Sequence, residues 1–125
     1  MLEMATLRRD SEVEAIMEMS EKQIEALGFT EHSRRHAGIV SKWSGEILRA
    51  LGKDENRIRL AEVAGYLHDI GNCINRKDHA QSGAILAYKI VTRLGMPFSD
   101  AAEIMMAIGN HDEQYGQPVS DISSA

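Results

Sequence analysis

The sequence predicts an all-α domain, a compact bundle of about five helices. Three observations carry this. Apolar residues recur three and four positions apart along most of the chain, cap and stop residues punctuate the periodic stretches, and no segment alternates convincingly with period two. Phosphate loops of the G-x-x-x-x-G-K and G-x-G-x-x-G types are absent from the sequence.

The first helix is expected from Ser11 to Leu27. Ser11 and Glu14 have the spacing of a capping box, Val13, Ile16, Met17, Ile24 and Leu27 form an inward stripe, and Gly28 supplies the stop. The second is expected from about Glu31 to Leu51, with Thr30 as N-cap and Gly52 as stop. Its buried stripe is read as Ile39, Val40, Trp43, Ile47 and Leu51, and the same ridge continued backwards reaches His36 and His32. Asp54 is expected to cap a third helix ending near His68, with Ile58, Ala61, Ala64, Gly65 and Leu67 facing inward. Gly71 ends that helix or bends the chain just after it. Asn72 to Lys77 reads as a polar loop carrying two basic residues. Asp78 and Gln81 read as a capping pair before a fourth helix from His79 to Leu94. Gly95 and Pro97 then break the chain, and Ser99 is expected to cap a fifth helix from Asp100 to Gly109. Its inner line, Ile104 and Ile108, leads next to His111. From Gly116 onward the tail reads as loop, and residues 1–10 receive no role.

With 125 residues the chain is expected to form a single domain, residues 1–125, large enough to fold without disulfides. Its lone cysteine, Cys73, allows no intrachain disulfide and suits a reducing compartment. There is no 18-residue apolar run, and the first ten residues lack the apolar core of a signal peptide. A cytoplasmic location with no membrane partner is therefore expected. The balance of 19 acidic against 14 basic residues argues against a nucleic acid gripped through its phosphates. A small phosphorylated substrate stays open, because a bound cation reverses the local field.

The dipeptide His68-Asp69 stands out at the end of a largely apolar helix. An ionised aspartate at the edge of a core is costly without a cation or hydrogen bonds to compensate it. By itself the pair is a weak signal, since a turn-capping aspartate beside a core histidine explains it as well. The other histidines change that weighing. His32 begins a helix, His79 begins another and His111 follows a third, so four of the five histidines sit at helix ends. Helix ends converge on one side of a bundle, where side chains from facing helices build metal sites. Imidazole with carboxylate suits zinc, iron, manganese, nickel or cobalt. Four residues after His32, His36 makes an H-x-x-x-H chelate geometrically open, although a buried supporting or core histidine is the favoured reading. Cys73 is expected to be a loop or packing thiol. Asp112 and Glu113 can orient water or accept from a ligand, or simply be solvated, and the seven methionines read as core filler.

Four segments in order, His32-Ser33-Arg34-Arg35-His36-Ala37, Ala64 to Gly71 with His68-Asp69 inside it, Lys77 to Ala84 around His79, and Ala107 to His111, resemble the HD superfamily of metal-dependent phosphohydrolases. The resemblance runs from Glu31 to Val119. It implies that His32, His68, Asp69, His79 and His111 hold one or two divalent transition-metal ions (iron, manganese, nickel, cobalt or zinc), with Asp69 able to bridge a pair. It further implies that Asp69 and His68 serve catalysis, in which a metal-activated water attacks phosphorus. Arg35, Arg76 and Lys77, the basic residues nearest the motifs, are the candidates for holding substrate phosphate, with solvated surface charge as the plainer reading of each. Two departures stand beside these matches. The family's last ligand is a late aspartate, for which Asp121 comes too early; C-terminal helices beyond Ala125, completion of the site by another group, and impaired metal binding are the three open explanations. Asn72 occupies a place where many relatives carry lysine. The implied activity is hydrolysis of a phosphate ester or anhydride, of a nucleotide above all, by a cytoplasmic enzyme with a homodimer as an open option. The alternative is a degenerate member that binds a nucleotide or a partner as a non-catalytic sensor, and a third reading is oxygenation at a di-iron centre.

Overall fold

The computed structural model describes residues 1–28, 33–112 and 116–125. Among these are seven α-helices, α1 (Met4–Arg9), α2 (Ser11–Ala26), α3 (Ser33–Ala50), α4 (Glu55–Leu67), α5 (His79–Arg93), α6 (Phe98–Gly109) and α7 (Asp121–Ser124), with a 3-10 turn at Ile70–Cys73 between α4 and α5. No strand occurs among the described residues, and no helix of theirs is long and apolar enough to cross a membrane. Five of the helices match the expected ones in order, and α1 and α7 are additions at the two ends.

The central element is α4, which packs on α3 and α6 and also meets α1 and α7. It is buried on nearly every side, through Ile58, Leu60, Ala61, Val63, Ala64, Gly65, Tyr66 and Leu67. Such all-round burial explains why the sequence preceding His68 is apolar and small. The approach of α3 to α4 is backbone on backbone. A methyl group built on Gly65 would lie 3.0 Å from the Ser41 backbone, and one built on Gly45 would lie 2.7 Å from Cγ of Glu62. Small residues make that closeness possible: Ala37, Ser41, Ser44 and Gly45, with Leu48, form the buried side of α3. Helix α5 packs on α6 and on the 3-10 turn, and α2 covers the other side of that turn. There Ser20, fully buried, donates to the Ile70 carbonyl at 3.3 Å.

This arrangement corrects the stripe expected on α3. Ile39, Trp43, Ile47 and Leu51 are 46%, 58%, 43% and 65% exposed, so the ridge of large apolar residues points away from the core. Three helix starts also differ. Asp10, not Ser11, caps α2, its carboxylate accepting from Val13 N at 3.1 Å. Asp78 makes no side-chain cap, since its backbone is left-handed at φ 58°, outside the extended geometry of an N-cap. Gln81 turns instead to the Gly109 carbonyl, 3.2 Å away. Helix α6 begins at Phe98 after Pro97, one turn position before the expected Ser99 cap. Asp54 does cap α4, accepting from Arg57 N at 2.9 Å. Thr30 and Glu31 lie outside the described residues.

Both ends of the chain are tied in. Leu7 of α1 is completely buried, and Ile122 of α7 is 4% exposed. Arg57 clamps α7 to the bundle, its guanidinium donating to both Glu103 and Asp121. Arg93 at the end of α5 pairs with Asp10 at 2.6 Å and Glu12 at 3.1 Å, closing α5 onto the start of α2.

Candidate metal centre

Helix ends deliver the polar residues to one place. His36 stands in the first turn of α3, His68 caps the C-terminus of α4, Asp69 begins the link to the 3-10 turn, His79 opens α5 and His111 follows α6. Asp69 is at the centre. Its Oδ1 lies 3.3 Å from Nε2 of His79 and 3.3 Å from Nε2 of His111. Its Oδ2 lies 3.1 Å from Nε2 of His68 and 3.7 Å from Nε2 of His36. The rings stand in a row, with centroids 5.1 Å apart for His36–His68, His68–His111 and His79–His111. Two groups with metal-ligand spacing therefore share one carboxylate: His36, His68 and Asp69, and Asp69, His79 and His111.

Backbone carbonyls orient three of the rings. His68 Nδ1 lies 2.7 Å from the Gly65 carbonyl, His79 Nδ1 3.1 Å from that of Arg76, and His111 Nδ1 2.5 Å from that of Ile108. Each carbonyl requires a proton on Nδ1, so in the neutral ring the Nε2 lone pair is the one facing Asp69. Lone pairs of imidazole and carboxylate then point at each other, an arrangement that repels unless protons or a cation lie between them. The donor set, nitrogen with carboxylate oxygen, is one that divalent transition metals take.

The electrostatics agree. Burial opposes ionisation of Asp69, but hydrogen bonds from His111 and His68, together with their charge, hold its carboxyl well below the usual carboxylate range. Burial pushes His79 below the ordinary histidine value, against the pull of Asp69. For His111 the order is reversed: burial lowers it, yet the hydrogen bond to Asp69 and that to Ile108 raise it overall.

Two cavities open onto the cluster. One, of about 220 Å³, lies against His36, His68 and Asp69 and is walled by Met17, Ile24, Leu27, Tyr66 and Ile70, with Arg76 at its edge. The other is a more open groove of about 540 Å³, bordered by His36, His68 and His111 and walled by small residues of α4 and by α7.

Of the expected site residues, His68, Asp69, His79 and His111 come together. His32 lies outside the described residues, as does Glu113. Arg76 borders the first cavity, and Lys77 is exposed and borders neither. Arg35 is exposed in a separate groove with Arg8, Arg34 and Lys42. Cys73 is half-buried, burial raises its thiol pKa, and it belongs to neither metal-ligand group. Asp121 is taken up by Arg57 and Lys53.

Two residues were undervalued by sequence reasoning. His36, which the sequence reads as a buried supporting or core histidine, is half-buried with its Nε2 facing Asp69 at 3.7 Å; the four-residue spacing from His32 is the available signal. Asn72 was placed in a polar loop, yet it is 1% exposed. Its amide donates to the Asp69 carbonyl at 3.0 Å and accepts from Arg76 at 3.4 Å, bridging the metal-ligand segment and the cationic edge of the cavity. No sequence pattern announced that role.

Comparison with known proteins agrees with this geometry. The chain is similar to Ribonuclease Y of Lawsonia intracellularis, 36% identical over 93 residues that make up 72% of this chain and 16% of the ribonuclease. It is also similar to an uncharacterized protein of Methanocaldococcus jannaschii, 26% identical over 129 aligned positions, 86% of this chain and 50% of that protein. The chain thus spans at most half the length of these relatives. No solved structure matches it. The family model of the HD domain matches residues 29–121, a stretch that carries all five histidines and Asp69. With its helix-end histidines gathered on one aspartate, the chain belongs to the HD domain family.

Proposed function

We propose that the protein is a metal-dependent phosphohydrolase that cleaves a phosphate ester or anhydride of a nucleotide. The observation that carries this reading is the division of Asp69, with one oxygen facing His79 and His111 and the other facing His68 and His36. A carboxylate so placed would serve both groups of histidines in holding divalent cations, and His32 is a candidate for a further ligand. When bound, such ions lower the pKa of water and neutralise charge developing on phosphoryl oxygens. The protein's own residues do the rest. The carbonyls of Gly65, Arg76 and Ile108 keep Nε2 of each ring aimed at the centre. Arg76, held by Asn72 at the edge of the apolar cavity, supplies a guanidinium for substrate phosphate, and the walls of Met17, Ile24, Leu27 and Tyr66 take an uncharged part of the substrate.

One relative is named as a ribonuclease, which lends support to phosphate-ester chemistry. The excess of acidic residues favours a small nucleotide over a long RNA. The engagement of Asp121 by Arg57, which turns this carboxylate away from the cluster, is what favours the rival, a non-catalytic sensor.

Elemental analysis of protein purified without a histidine tag, followed by phosphate-release assays over mononucleotides, cyclic nucleotides and dinucleoside polyphosphates, tests the proposal. Bound iron, manganese, nickel, cobalt or zinc, with turnover lost in Asp69→Asn, is the expected result. Bound metal with nucleotide binding but no turnover would favour the sensor. Absence of metal binding on reconstitution would overturn the phosphohydrolase reading and leave the sensor.

A further inference from the structure

Helix α3 is built inside out. Its inner side is made of Ala37, Ser41, Ser44 and Gly45 with one large residue, Leu48, while Ile39, Trp43 and Ile47 lie four apart on a single outward ridge. Isolated exposed apolar residues need no explanation, but a row of them continued by Leu51 along one helix does. Beside this ridge runs a charged flank. Lys42 and Glu46 each precede a ridge residue by one position and so lie on the same side of it. Both are exposed, and Lys42 forms no ion pair among the described residues, its ammonium resting 5.5 Å from the Trp43 ring centroid.

We infer that this face pairs with a second copy of the chain, α3 against α3, antiparallel about a two-fold axis. Self-complementarity selects that occupant. In an antiparallel symmetric pair the same flank of each helix faces its equivalent, so charges must match about the midpoint. Setting the axis level with Trp43 and Ser44 brings Trp43 onto Trp43 of the second copy. At the same level, Ile39 meets Ile47 and Lys42 meets Glu46, each within about 1.5 Å of register along the axis, the rise of one residue. The Ile39–Ile47 and Lys42–Glu46 contacts each occur twice, and the Trp43 pair once, at the axis. An unrelated partner helix would have no reason to require opposite charges placed on either side of Ser44, next to the central tryptophan. The seam is one helix long, so the interface falls among small and reversible ones. Of the metal cluster His36 lies on α3, with its Nε2 turned to Asp69, while His68, Asp69, His79 and His111 lie on other elements.

The experiment is sedimentation velocity of the full chain over a wide concentration range, run with fluorescence of Trp43, the sole tryptophan. The expected result is reversible dimerisation with a blue shift of emission as dimer forms. Trp43→Glu is expected to weaken it by about a hundredfold or more, as loss of a central anchor does, with helical content and metal content unchanged. Lys42→Glu alone and Glu46→Lys alone are each expected to weaken it about tenfold, while the double reversal restores it to near the original strength. A chain that stays monomeric up to roughly millimolar concentration, where even a weak interface registers, overturns the inference. So does a dimer indifferent to Trp43→Glu. Failure of the double reversal to restore pairing overturns the antiparallel register.

Discussion

Gly71 lies so close to His79 that a methyl group built on its α-carbon would fall 1.9 Å from the His79 carbonyl oxygen and 2.7 Å from the backbone nitrogen of Gly83. The 3-10 turn and the first turn of α5 therefore touch through bare backbone, and this contact sets His79 at the height of Asp69. Backbone cannot swing aside as a side chain can. Gly71→Ala is expected to cost roughly 3 kcal/mol, the upper part of the range for overpacking, and to displace His79 from the cluster. Urea unfolding and metal content check this together. Full stability with undiminished metal would mean that α5 moves freely over the turn.

The shared carboxylate predicts how metal is lost. His111→Ala is expected to remove about one equivalent and His36→Ala about one, while Asp69→Asn removes both, as expected when one ligand serves two ions. Elemental analysis after dialysis measures each. If His36→Ala leaves both stoichiometry and affinity unchanged, Asp69 does not divide its oxygens between two sites.

Helical glycines in contact with different partners should respond differently to alanine. Replacing glycine within a helix gains about 1 kcal/mol from propensity alone. At Gly45 the obstructing atom is Cγ of Glu62, on a flexible side chain that can turn away. At Gly65 the obstruction is the backbone of Ser41 and Val40, at 3.0 Å, and the Gly65 carbonyl also orients His68. Gly45→Ala is expected to be neutral or mildly stabilising. Gly65→Ala is expected to destabilise by about 1 to 2 kcal/mol and to weaken metal binding. Thermal melts of the two variants side by side decide it.

Arg57 should make the C-terminal helix sensitive to acid. Its hydrogen bond lowers the carboxyl of Asp121, and Glu103 and Asp121 raise its own value. A carboxyl whose folded pKa lies below the unfolded one stabilises the fold above the unfolded value, near 3.9, and loses that contribution as pH falls through the folded value. Asp121→Asn is expected to cost about 1 kcal/mol at neutral pH, a partly exposed ion pair's contribution, and less at an acid pH below the unfolded value. Denaturant melts at the two pH values check the difference. An equal cost at both would assign Asp121 a role through its shape and not its charge.

The helices and most of the residues now seen together were legible because periodicity and placement at helix ends are local properties. His68-Asp69, His79 and His111 each ended or began a periodic segment, and helix ends meet in a bundle. What was not legible was direction. The ridge of Ile39, Trp43 and Ile47 is unmistakable in the sequence, but periodicity says only that a face is apolar, not that it faces this core. The true inner face of α3 is made of small residues chosen for close approach, and hydrophobic patterning is blind to those. Caps were ambiguous for a similar reason. Asp10 and Ser11 are both good caps, and their order in space was settled by Arg93, more than 80 residues away in sequence. Asn72 was hidden because its polar character suited a loop equally well. Its importance comes from partners, the Asp69 carbonyl and Arg76, that only the fold brings to it.

The hydrogen bonds that orient His68 and His111 have a consequence for the rates at which the site opens. Each runs from a ring Nδ1 to a carbonyl in the last turn of the helix just before it, Gly65 in α4 and Ile108 in α6. Carbonyls in a helix's last turn lack the usual amide partner four residues on, and that of Ile108 also accepts from the His111 backbone N–H at 3.2 Å. The imidazoles therefore finish the helices as well as facing the centre, and under the proposed metal reading fraying of either helix end would also release a ligand. Ion exchange and amide hydrogen exchange in those last turns share one clock. A loaded centre should slow solvent exchange at the ends of α4 and α6 while leaving the far ends of both helices as they were.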